Sequence, residues 1–198
     1  MKNVLFVCTG NTCRSPMAEA LLKEKSDSIQ VKSAGIFAAK QMPAAPDALK
    51  ALHSHGISFQ HYSQPVTREL LEWADVILTM TTQHKQSLLQ QYSQFSEKIF
   101  TLKEYVDDEQ TNIWNKLKEA YTELEEKRLK LLRNNLTNAE IEQQLQEDIT
   151  KIRLLESKMD SVDIQDPIGQ GIDVYEKTLA ELEKNIELLI NKLENKDK

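Results

Sequence analysis

An octapeptide, Cys8-Thr9-Gly10-Asn11-Thr12-Cys13-Arg14-Ser15, separates an apolar run ending at Val7 from a helix-forming run beginning at Pro16. A loop of this make-up between a strand and a helix points to an α/β fold whose first turn wraps an oxyanion. Backbone N–H groups and one guanidinium then point inward over a thiol. Cys, five residues, Arg and Ser is a spacing suited to phosphoryl transfer through a phosphocysteine.

Each position has a chemical task. A thiol is a poor nucleophile until cationic or N–H-rich surroundings favour its thiolate, and Cys8 is the candidate nucleophile. Arg14 offers a planar, permanently charged fork for the phosphoryl oxygens, above all as the three equatorial ones spread in the transition state. Ser15 is placed to donate to the Cys8 sulfur and to cap the following helix, with Pro16 at its first position. Gly10 gives the backbone room to turn, and Asn11 can hold the loop through its side chain. Thr9, Gly10, Asn11, Thr12, Cys13 and Ser15 are thus the substrate-binding candidates. On chemistry alone Thr12 is equally well read as a solvent-facing loop residue. Cys13 is either a small buried residue under the loop or a thiol able to reach Cys8 in a disulfide that switches the site off.

Asp166 is the second catalytic candidate. A carboxyl group at the mouth of the cradle can protonate a leaving group and then, as carboxylate, activate water. Pro167 holds Asp166 in extended geometry. Without the cradle, the pair would read as an ordinary Asp-Pro turn.

Strand-like runs at 2–7, 30–33, 75–80 and 98–102 alternate with helical runs at 16–25, 47–55, 67–73, 82–92 and 173–193, the pattern of a parallel sheet covered by helices. The expected fold is a three-layer α/β/α sandwich around a four-stranded parallel sheet. Residues 107–160 break the pattern, with no Gly, Pro or Cys and much Leu, Glu, Lys and Gln. Trp114, Leu117, Tyr121, Leu124 and Leu131 form one apolar stripe; Ile141, Leu145, Ile149, Ile152, Leu155 and Met159 form another. Asn134-Asn135 can end the first helix, and Thr137 with Glu140 is a capping-box start for the second. The expectation is an inserted antiparallel helical hairpin, each arm about 30 Å long at 1.5 Å per residue. It is either self-contained or a dimer or partner contact. The domain division is then 1–106 with 161–198 as catalytic domain and 107–160 as insertion.

Read together, Cys8 through Glu19, CTGNTCRSPMAE, resembles the active-site segment of low-molecular-weight protein-tyrosine phosphatases. Ser33-Ala34-Gly35, Gly56-Ile57, His61, Ser63, Thr67, the run Trp73 to Met80, and Asp166-Pro167 follow in that family's order. The resemblance implies a phosphocysteine mechanism acting on phosphorylated proteins, with Asp166 as the acid and His61 supporting Asn11. It also implies a Cys8–Cys13 pair that guards the nucleophile against over-oxidation. Thr at position 12 marks the branch that removes phosphate from arginine, whereas tyrosine-directed members carry a bulky aliphatic residue there. Where the tyrosine branch has aromatic residues after Asp-Pro, this chain has Ile168-Gly169-Gln170-Gly171, which removes stacking surface for a phenol ring. Arginine-directed members tend to have Phe where Ile168 stands. Arsenate reductase begins with a similar loop but needs further downstream cysteines, and this chain has none after Cys13. A catalytically silent phosphate-binding adaptor has no need of Cys8, Arg14 and Asp166 together.

Two cysteines in 198 residues form no disulfide framework and complete no structural zinc site. The mechanism requires no metal and no cofactor. A net charge of −6 speaks against nucleic acid, and no apolar run approaches a membrane span or a signal peptide, so a cytoplasmic protein without membrane partners is expected. His53, His55 and His84 have no metal-ligand spacing and read as surface residues.

Overall fold

A computed structural model describes residues 2–133, 137–157 and 161–195. Four strands, β1 (Lys2–Cys8), β2 (Ile29–Gly35), β3 (Val76–Thr79) and β4 (Ile99–Thr101), form one parallel sheet in the order β2-β1-β3-β4. β1 is central and buried on both faces, which is why it is apolar without alternation. Val4 and Phe6 pack with α1 (Arg14–Lys25), α2 (Pro46–Ser54) and α8 (Ile172–Asn195) through Met17, Leu21, Leu52, Leu179 and Leu182. Leu5 and Val7 enter a second core with Leu71 of α3 (Arg68–Trp73) and Leu88 of α4 (Thr82–Gln91). The expected three-layer α/β/α architecture is the one found. The strand order reverses around β1, and the loop after it therefore lies in the crevice at the carboxyl ends of the strands, where open α/β sheets bind ligands.

Two local expectations are corrected. The segment 98–102 yields only three residues of strand, and Leu102–Val106 turns at once into a short helix, α5. Helix α1 begins at Arg14 rather than Pro16, so Pro16 is its third residue, and Ser15 caps nothing with its side chain. The Ser15 hydroxyl is engaged by the Cys8 sulfur instead, so no side-chain cap covers the Arg14 and Ser15 amides at the loop.

The chain divides into two compact units, Met1–Val106 with Val162–Lys198, and Asp107–Ser161. The second consists of α6 (Asp108–Leu132) and α7 (Asn138–Glu156). They run antiparallel, linked by Lys127–Asp148 at 2.7 Å, Lys151–Glu123 at 3.1 Å and Tyr121–Glu156 at 2.7 Å. Leu117, Ala120 and Ile152 form one buried cluster between them, and Leu131, Ile141 and Leu145 another. Thr137 and Glu140 make the reciprocal capping box at the start of α7. The Trp114 side chain, Asn134-Asn135 and Met159 lie outside what the structure describes.

Candidate active site

Cys8 ends β1 with its thiol buried in the turn to α1. Its Sγ is 2.9 Å from Ser15 Oγ and accepts the Asn11 backbone N–H at 3.2 Å. Asn11 is fully buried and is the one loop residue with left-handed backbone, φ 55°. The turn assigned to Gly10 from sequence is thus made by Asn11, a residue type whose short amide tolerates that region. Asn11 Nδ2 donates to Ser15 Oγ at 3.0 Å and Ser33 Oγ at 2.8 Å, and Oδ1 accepts from the Gln64 backbone at 2.9 Å. Ser33 in turn donates to the buried Glu19 carboxylate at 2.6 Å. His61 Nε2 donates to the Asn11 carbonyl at 3.0 Å, with Nδ1 3.8 Å from Glu19. Burial holds His61 below the ordinary histidine value, against the pull of Glu19.

The guanidinium of Arg14 is buried and fully oriented. Nη1 donates to the Ile164 carbonyl at 3.1 Å, and Nη2 to Asp166 Oδ2 at 2.5 Å and Thr9 Oγ1 at 3.5 Å. The Asp166 carboxylate is the more open partner, 42% exposed against 5% for Arg14. Its Oδ1 accepts from the Ile168 backbone at 3.2 Å, and Pro167 beside it is buried. Thr12 is half-buried; its carbonyl accepts from Ala45 at 2.8 Å and its hydroxyl lies 3.6 Å from Cys13 Sγ. Gly10 is half-buried beside it. Cys13 and Cys8 are both free thiols. Burial pushes the Cys13 thiol up, although hydrogen bonds from Tyr175, at 3.3 Å, and Thr12 oppose it. Cys8, Arg14, Asp166, the loop residues between them in the cradle, and His61 and Pro167 thus lie in this loop or against it.

Several contributors have no site role in the sequence reading. Gly35 lies under the loop, where a Cβ would come within 2.7 Å of Thr9 O and 2.9 Å of Asn11 N. Phe37 donates its N–H to the Thr9 carbonyl at 2.9 Å and its ring is exposed, while Ile168 is 62% exposed. His84, expected on the surface, is only 7% exposed. Its Nε2 lies 2.8 Å from Thr9 Oγ1 and its Nδ1 2.9 Å from Thr81 Oγ1. Burial first, then the nearby Arg14 charge, pushes His84 down to about 4. Thr81, three residues earlier and serving as N-cap of α4, was the available signal that this side chain folds back toward the sheet. His53 and His55 are exposed, as expected.

The profile of the family described as "Low molecular weight phosphotyrosine protein phosphatase" matches residues 3–147, ending before Asp166. A protein-arginine-phosphatase of Bacillus subtilis (strain 168) is 50% identical over 108 residues, 52% of this chain and 72% of that protein. The YwlE arginine phosphatase from Geobacillus stearothermophilus superposes with a TM-score of 0.71 at 31% identity, covering 99% of this chain and 95% of that one. A YwlE arginine phosphatase mutant with a phosphorylated active-site serine superposes with a TM-score of 0.69 at 34% identity, covering 97% and 95%. The chain belongs to the low molecular weight phosphotyrosine protein phosphatase family.

Proposed function

We propose that this protein is a cysteine-dependent protein phosphatase that hydrolyses phosphoarginine. In this reading Cys8 attacks phosphorus, with Ser15 and the Asn11 N–H donating to its thiolate. Arg14 and the loop amides between Thr9 and Ser15 other than that of Asn11 hold the phosphoryl oxygens as charge spreads over them. Asp166 protonates the departing guanidino nitrogen and then takes a proton from the water that cleaves the phosphocysteine. His61 and Pro167 support Asn11 and Asp166 respectively, and Cys13 is the partner for reversible oxidation of Cys8. A related arginine phosphatase with a phosphorylated active-site serine supports the covalent step.

The observation that carries the substrate choice is the pair Arg14–Asp166. Asp166 already faces a guanidinium. A phosphoryl group entering the cradle competes for Arg14, and a phosphoarginine side chain supplies a second guanidinium for the carboxylate it displaces. A phenol supplies none. The runner-up is a phosphotyrosine substrate, favoured by the family's general chemistry and by the exposed Phe37 ring.

The test is kcat/KM of the reduced protein on a phosphoarginine peptide and a matched phosphotyrosine peptide, with Cys8→Ala as the blank. A preference for phosphoarginine that falls in Thr12→Ile supports the reading; a preference for phosphotyrosine overturns it. Peroxide inactivation that a thiol reductant does not reverse would rule out the role given to Cys13.

We further infer a cytoplasmic enzyme whose catalytic domain is the unit containing the cradle. The hairpin supplies its contact with a second copy or partner along the groove lined by Leu124, Leu132, Ile141, Leu145 and Ile149. A monomeric mass that is unaltered by the hairpin's removal, together with failure of the isolated hairpin to self-associate or retain any protein, would refute that contact.

A further inference from the structure

Thr9 and His84 are tied together across the crevice although 75 residues separate them. Thr9 Oγ1 accepts from Arg14 Nη2 at 3.5 Å, since a guanidinium only donates. Thr81 Oγ1 accepts the backbone N–H of His84 at 3.2 Å as the cap of α4. Two ring tautomers fit the remaining contacts, and they differ in where one proton is left. If Nδ1 carried the proton, it would donate to Thr81, and Thr9 would spend its own proton on Nε2. The Thr81 hydroxyl proton would then have no acceptor among the described residues. If Nε2 carries it, Thr81 donates to Nδ1 and every proton in the chain is used except that of Thr9. That hydroxyl adjoins the Arg14 nitrogen at the mouth of the cradle.

We infer that His84 is a positioning residue of this site, donating through Nε2–H to Thr9 so that the Thr9 hydroxyl presents its proton to a phosphoryl oxygen held by Arg14. The loop thereby gains a side-chain donor beyond its backbone amides and Arg14. A buried imidazole that carries no charge at neutral pH fits this part, because it adds no competing cation for the anion to bind. The inference rests on the phosphatase reading for its substrate, though the hydrogen-bond assignment does not.

Long-range 1H–15N correlation on the wild-type protein reads the tautomer directly, and the expected form at pH 7 is Nε2–H. An Nδ1–H ring would overturn the assignment. In parallel, inorganic phosphate binding and kcat/KM on the phosphoarginine peptide are measured for Thr9→Val, His84→Leu, the double variant and His84→Gln. A lost hydrogen bond to an anion predicts that Thr9→Val and His84→Leu each weaken phosphate about tenfold and lower kcat/KM by a similar factor. The double variant is expected to be no worse than either alone, and His84→Gln, which keeps an N–H donor, to recover most of the loss. Losses that multiply in the double variant, or phosphate binding unchanged in Thr9→Val, would overturn the proposal. Phosphate binding with no turnover of either peptide by the wild-type protein would count against the phosphatase reading alone.

Discussion

At the scale of single residues, His84 also marks the acid limb of stability. Its folded value near 4 lies below the ordinary 6.5, so between those pH values the unfolded chain binds a proton that the folded chain does not. Stability then rises with pH across that window and is level above it, the change amounting to about 3 kcal/mol. His61, lowered by burial, acts with the same sign. Urea unfolding of wild type and His84→Gln from pH 4.5 to 7 checks this: the stability difference between them should shrink or reverse as pH falls, and parallel curves would show that His84 takes up its proton equally in the folded and unfolded chain, against the lowering described. Gly35→Ala is the second residue-scale prediction. The new Cβ meets backbone atoms of the loop at 2.7 and 2.9 Å, together with Ala38 Cβ at 2.8 Å, and none of these is the end of a flexible side chain. Overpacking of this kind costs about 1–3 kcal/mol, and because the displaced atoms belong to Thr9 and Asn11, kcat/KM should fall further than stability alone accounts for. The cradle itself was legible because its residues are contiguous. Gly35 and His84 were not, because their meaning depends on strand register and on the fold bringing position 84 to position 9.

At the scale of elements, the strands and main helices could be read from apolar runs and periodicity, since β1 and β3 are buried on both faces and α8 presents Leu179, Leu182, Ile186 and Leu189 on one. The start of α1 was misplaced by two residues for a physical reason. Ser15 and Pro16 carry strong helix-start preferences, yet the nearby thiol and Asn11 recruit the Ser15 hydroxyl and shift the boundary to Arg14. At α7 nothing competes with the preference, and the capping box forms as the sequence implies: Thr137 bonds the Glu140 amide while Glu140 reaches back to the Thr137 amide at 2.9 Å. Thr137→Ala should therefore cost the hairpin about 1 kcal/mol. Calorimetry should place that loss in the transition of the hairpin, leaving the unit with the parallel sheet unchanged.

At the scale of the whole molecule, the question is whether Asp166 can serve as the proposed acid without the 55-residue unit Asp107–Ser161, which interrupts the chain ahead of it. The contacts that hold Asp166 and the residues before it lie inside the other unit. Asp163 accepts from Thr82 N at 2.7 Å and Thr82 Oγ1 at 2.9 Å, and its carbonyl accepts from Lys103 at 3.0 Å. Ile164 donates to the Met80 carbonyl at 2.8 Å and accepts from Arg14, which also holds Asp166 itself. The returning chain is thus clamped to the ends of β3 and α4 and to the cradle arginine within four residues of re-entering the unit. Replacing residues 107–161 by a short Gly/Ser linker should leave kcat/KM on the phosphoarginine peptide within about threefold of the intact protein, since the contacts just described for Asp163, Ile164 and Asp166 lie inside the other unit and lengthening or shortening a surface connection changes closure entropy only slowly. The alkaline and acid limbs of the pH–rate profile should also stay in place, because they report the groups at the reacting centre. A large fall in kcat with KM unchanged would instead mean that the hairpin takes part in bringing Asp166 to the leaving nitrogen, and the clamp through Asp163 and Ile164 would not be sufficient.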